Sequence, residues 1–267
     1  MIRGRRGRLS SSVSILRALV TRNILIMKRY PLNTAGAIIG LYALFLLVYL
    51  GGRSLLGPGF SGTLGALIVG FFLFIMGNAS YKTLAGLFAT EAKWGTLERL
   101  YLLPVKFSHV AVLLSISSLL VTFFIGFTML ALMLLTTGTS ISLDLVSILP
   151  IVTFTLLSTI GLGLLFGGAT IRYKNISSIF GLVKFVFVAF IVAGPTFEEV
   201  FALKFLPLVQ GSYLLQRVMN EELRLWDLEP LELSVLVLVG LGYFTFGYVL
   251  FRYFTERART AGVMGHY

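Results

Sequence analysis

The chain has 267 residues, 57% of them hydrophobic and only 12% charged, with a mean hydropathy of +0.93, 28 glycines and no cysteine. That balance excludes a soluble globular domain, a disordered chain, a disulfide scaffold and any thiolate metal site, and leaves an integral membrane protein. The net charge of +11 would suggest nucleic acid in a soluble protein; here it is explained by basic residues collecting in cytoplasmic loops, and no nucleic-acid partner is expected.

Residues 1–31 form a basic arm. Met1–Arg8 is rich in arginine, and Val13–Met27 has helical periodicity. Ser14, Arg17, Ala18, Thr21, Arg22, Lys28 and Arg29 share one arc of the wheel. Val13, Ile15, Leu16, Leu19, Val20, Ile24, Ile26 and Met27 share the other, with Leu25 the main exception. The serines Ser10–Ser12 are expected to cap this helix and Pro31 to end it. It reads as an amphipathic helix on the inner membrane surface, serving as a lipid anchor or as a docking surface for a partner.

Residues 32–251 are expected to form an all-α domain of six spans, each near the roughly 20 apolar residues that a crossing takes. Five stretches lack any Asp, Glu, Lys or Arg: Leu32–Leu50, Thr63–Tyr81, Phe107–Thr136, Leu149–Ile171 and Leu233–Phe251. A sixth, Ile176–Gly194, is interrupted by Lys184. The third stretch would be about 45 Å long as a helix, so it tilts or begins as an interfacial turn. Strands of an outer-membrane barrel would alternate over ten residues, and no such pattern occurs.

The loop after the second span runs from Glu91 to Val105. Gly95 breaks the emerging helix, Thr96 is placed to cap a new one, and Glu98 falls in its first turn, where the helix dipole favours it. Pro104 ends that helix, whose ridge is Leu97, Leu100 and Tyr101. His109 follows near the inner interface as a surface or packing residue. Lys184 either faces a translocation path or snorkels to the inner interface beside Lys174. Phe71, Phe72, Phe74, Phe123, Phe124 and Phe127 either line a route for an apolar substrate or simply pack, and packing is the preferred reading. The glycine pairs Gly36/Gly40, Gly163/Gly167 with Gly168, and Gly242/Gly247 suggest close helix packing. The stretch Pro195–Glu232 is too long for a structureless connection, which predicts some helix. Its Glu198, Glu199, Glu221, Glu222 and Trp226 suggest a polar lid or an ordinary solvated loop.

Charge placement fixes the expected orientation. One side holds the basic arm, Lys82, Lys93, Arg99, Lys106, Arg172, Lys174 and the tail 252–267 with Arg252, Arg257 and Arg259, against Glu91, Glu98 and Glu256. The other holds Arg53, Lys204, Arg217 and Arg224 with the remaining acids, Asp144 and Glu198 among them. Both termini are therefore expected in the cytoplasm of a multi-pass protein of the cell membrane.

The segment Glu91, Gly95, Thr96, Leu97, Glu98, Leu103 and Pro104, with Arg99 inside it, resembles the permease signature of type-2 ATP-binding-cassette (ABC) transporters. The amphipathic first helix, with Arg17, Arg22, Lys28 and Arg29, resembles that family's connecting helix, and the topology agrees across nearly the whole chain. The outer segment, with Leu206-Pro207-Leu208 and Gln216-Arg217, resembles the family's short outer helices before the last span. The resemblance implies a permease subunit of an exporter, coupled through the Gly95–Pro104 segment to a P-loop ATPase on a separate chain. That ATPase would hold the ATP and Mg, and a second permease subunit, the same or different, would complete the pore. No G-x-x-x-x-G-K-[ST] run occurs, so this chain has no phosphate cradle and is not expected to be an enzyme. A secondary transporter would need acids inside the spans, and none is found there. An intramembrane enzyme would need paired histidines, an aspartate cluster or a nucleophile elbow, and the spans have none. A membrane assembly scaffold stays as the alternative.

Overall fold

The computed structural model describes residues 3–57, 63–93, 107–172, 177–196 and 200–260. Every regular element among them is helical: α1 (Arg3–Arg29), α2 (Pro31–Leu56), α3 (Leu64–Lys93), α4 (Phe107–Thr137), α5 (Leu145–Arg172), α6 (Ser177–Thr196), α7 (Val209–Asn220) and α8 (Pro230–Thr260). Short 3-10 turns, Phe201–Phe205 and Leu225–Asp227, flank α7. This is an all-α membrane protein. Lipid offers no hydrogen-bond partner, so a spanning backbone must satisfy itself, and helices do that.

Five of the expected spans fall on α2, α3, α4, α5 and α8, each long and apolar enough to cross a bilayer. The sixth falls on α6, whose described apolar stretch, Gly181–Val192, is shorter than a full crossing. The serines Ser10–Ser12 are not a cap: α1 runs straight through them from Arg3. Arginine is a good helix former, so the arginine-rich start joins the helix and the serines become interior positions. The break at Pro31 is real, with Tyr30 leaving helical geometry at φ −122°, ψ 62° and Pro31 in the first turn of α2.

The bundle is organised around α5, which packs most extensively on α8 and then on α3. Glycines set the α5–α8 contact. A Cβ on Gly247 would run into the Gly161 carbonyl, one on Gly161 into the Tyr243 carbonyl, and one on Gly240 into the Phe154 carbonyl. A Cβ on Gly168 would lie 2.9 Å from the Phe251 Cα. These partners rise together along both chains, so the two helices run parallel with their backbones in contact. On its other side α5 meets α3, where a Gly163 Cβ would lie 3.0 Å from the Tyr81 carbonyl oxygen. Helix α4 runs antiparallel to α3, with the Ser80 hydroxyl donating to Thr122 Oγ1 at 3.3 Å and Met76 seated over Gly126. The predicted pair Gly36/Gly40 makes no such contact, and Gly242 also faces open space. Several buried hydroxyls donate to carbonyls of their own helix, as Thr155 does to Ile151 at 2.6 Å, which removes their cost in an apolar interior.

Two apolar clusters divide the bundle. The larger joins Phe45, Phe72, Met76, Leu156, Phe187, Leu214 and Val218 across α2, α3, α5, α6 and α7. The smaller joins Leu84, Val110, Leu114, Ile160, Leu164 and Phe251 at the basic end of the molecule.

Candidate functional site

At the basic end, α3 carries Glu91 in its last turn, and α4 begins at Phe107. The predicted coupling residues Gly95, Thr96, Leu97, Glu98, Arg99, Leu103 and Pro104 lie outside the described residues. What surrounds their two ends is described. Leu84 and Leu87 of α3, Val110, Ala111 and Leu114 of α4 and Leu19 of α1 meet in the smaller cluster. Asn23 of α1 donates from Nδ2 to Ser117 Oγ of α4 at 3.1 Å. Helix α1 is therefore held on the flank of α4 by a partly buried leucine and a polar clasp. Arg17, Arg22, Lys28 and Arg29 are all exposed on it. Three of these arginines, with Thr21, Leu25 and Tyr30, line an open groove of about 750 Å³.

Within the bundle the expected path residues lie in different surroundings. Phe71 and Phe74 pack ring against ring, with centroids 6.2 Å apart, and Phe71 meets Phe45 of α2 edge-on at 5.5 Å. Lys184 is half-buried on α6 with its ammonium 4.9 Å from the Phe185 ring. Among the described residues no group of His, Cys, Asp and Glu is placed to hold a metal ion. His109 is exposed at the start of α4.

The acidic end departs most from expectation. The outer segment holds the helix expected of it, and Glu221, Glu222 and Trp226 are exposed, but the helix itself is sunk in the bundle: α7 buries Val209, Gln210, Gly211, Ser212, Leu214, Leu215, Val218 and Met219. Its C-terminal Asn220 meets Gly65 at the start of α3, and Leu208, just before its first residue, meets Gly77 of the same helix. The chain thus enters the bundle and returns along α3, and the 12 residues of α7 span about 18 Å. Leu208 turns the chain with a left-handed φ of 69°, and the buried Pro207 precedes it. Gly211 lies directly against the Thr155 side chain, a contact that any Cβ would block.

Polar groups on α7 are satisfied by the helices that surround it. Ser212 Oγ donates to the Ile191 carbonyl at 2.7 Å, and Gln210 Nε2 donates to the Glu232 carbonyl at 3.2 Å. Arg217 Nη1 donates to Glu232 Oε2 at 3.0 Å and to the Tyr213 hydroxyl at 3.3 Å, and Glu221 lies 3.7 Å from its Nε. The Arg217 side chain is 27% exposed and that of Glu232 only 8%, so the pair ties α7 to the first turn of α8 in largely apolar surroundings. Of the predicted outer residues, Arg217 is thereby given a defined partner and Pro207 a place at the turn; Glu198 and Glu199 lie outside the described residues. The chain matches no family model and no curated protein.

Sequence reasoning missed Glu232. It lies 15 positions beyond Arg217, a spacing with no helical signal, and reads as the last polar residue before a span. Removing Arg217 strands a nearly buried carboxylate. Arg217→Ala is expected to destabilise the protein by about 2 kcal/mol, below the 3–5 kcal/mol of a fully buried pair because the guanidinium is partly solvated. Arg217→Leu with Glu232→Leu should recover much of that loss, since no orphaned charge remains. Melting temperatures in detergent check both, and an unchanged value for Arg217→Ala would deny the pair a structural role.

Proposed function

We propose that this chain is the transmembrane permease subunit of an ABC exporter, driven by ATP hydrolysis on a separate P-loop subunit and completed by a second permease subunit. The observation that carries the reading is the convergence at the basic end. The signature-bearing loop leaves from α3 and returns to α4 where α1 is clasped onto α4, so one partner could engage the loop and α1 together. Support also comes from the route to the other end. Helix α3, with 30 residues, bears Glu91 in its last turn and the seat of α7 at Gly65 and Gly77. Closure of the ATPases would push on α3, α4 and α1 at one end and shift the seat of the re-entrant α7 at the other. Alternating access then follows from rigid elements moving as units. On this reading both termini are cytoplasmic, α6 is the sixth span, and the exposed arginines of α1 meet lipid or the ATPase.

Co-purification from native membranes in mild detergent tests the proposal. A P-loop ATPase should accompany the chain in one-to-one proportion, and a chain that comes through without one would overturn the reading.

A further inference from the structure

Between the 3-10 turn Phe201–Phe205 and α8 runs an open groove of about 380 Å³, lined by Phe205, Leu238, Val239, Gly242, Tyr243 and Phe246. Its volume falls within the roughly 300–1,000 Å³ of small-molecule sites, and its walls are almost wholly apolar. Leu238, Leu241 and Phe246 are exposed around it, so in a bilayer it opens to lipid. A Cβ at Gly242 would meet nothing within 4 Å, so glycine here leaves room and makes no helix contact.

Lys204 is the chain neighbour of Phe205. Its ammonium lies 5.4 Å from the Tyr213 ring, and among the described residues no carboxylate pairs with it. Two acids at this end, Glu232 and Glu221, are both engaged by Arg217, which itself lies 5.5 Å from the Tyr213 ring. A cation that no described carboxylate pairs, on the residue next to one wall of an apolar, lipid-facing groove, is costly unless something anionic answers it. At the same end Trp226 is exposed with Arg224 5.4 Å over its ring, an arrangement suited to the headgroup level.

We propose that the groove holds an acyl chain of an anionic phospholipid whose phosphate pairs with Lys204. The two parts recognise different halves of one molecule: the groove takes the tail without regard to headgroup, and the ammonium selects the negative charge. The inference stands apart from the permease reading, since it uses no residue of the coupling segment.

Native mass spectrometry of the full chain, with dioleoylphosphatidylglycerol or dioleoylphosphatidylcholine added, tests it. Lys204→Gln should lower phosphatidylglycerol retention about tenfold, the value of one charge-assisted contact, and leave phosphatidylcholine unchanged. Lys204→Arg should keep the wild-type preference. Gly242→Leu, a change the fold has space for, should lower retention of both lipids. Wild-type phosphatidylglycerol retention in Lys204→Gln overturns the proposal, as does unchanged retention of both lipids in Gly242→Leu. Finding the groove filled by a second copy, seen as a lipid-free dimer that Gly242→Leu dissociates, overturns it too.

Discussion

Gly247→Leu is expected to remove most of the folded protein from membranes. Overpacking a core usually costs about 1–3 kcal/mol, because flexible side chains shift to make room. Here the obstacle is the Gly161 carbonyl, which is backbone, and Gly161 is itself pressed against the Tyr243 carbonyl. Neither helix yields without parting α5 from α8 along their whole contact, so the cost should exceed about 3 kcal/mol, a large share of the roughly 5–15 kcal/mol that holds a domain together. The control lies on the same helix. Gly242→Leu faces open space and should accumulate and melt like the wild type. Size-exclusion profiles and melting curves of the two variants check the contrast, and a normal melt for Gly247→Leu would contradict the packing described for α5 and α8.

Glu98→Lys is the variant expected to have the largest functional effect. It should insert normally and still associate with the ATPase, yet transport should fall by tenfold or more while nucleotide turnover continues. On the proposed reading Glu98 meets the ATPase, and reversing its charge swaps an attraction for a repulsion. The outer end gives the comparison: Arg217→Ala should weaken the fold, whereas Glu98→Lys should leave the melting temperature alone. Transport at the wild-type rate in Glu98→Lys would remove the loop from the coupling role.

The spans were readable because charge-free runs of about 20 residues have few other uses, and the Tyr30–Pro31 break because proline restricts the residue before it. Much of the helix packing was not. Gly36/Gly40 has the i,i+4 spacing of a close contact and touches nothing, whereas Gly163, Gly168 and Gly247, also expected from spacing, do meet backbone, and so do Gly161 and Gly240, each seven positions before one of them. Spacing along one helix says which residues share a face but not which neighbour that face meets. The burial of α7 was hidden for a related reason. Gln210, Ser212 and Arg217 are polar, and only the folded chain supplies the Glu232 carbonyl, the Ile191 carbonyl and the Glu232 carboxylate that satisfy them. Lys204 was legible as one outer base among several, and its link to the groove depends on the turn that brings its neighbour Phe205 onto α8.

Reconstitution decides whether this polypeptide is worked by a motor carried on another chain. Purified by itself into liposomes it should leave ATP untouched and hold a trapped solute in place, and hydrolysis should start only once the co-purified ATPase is added. Nucleotide turnover, or solute release, by the lone chain would contradict the account.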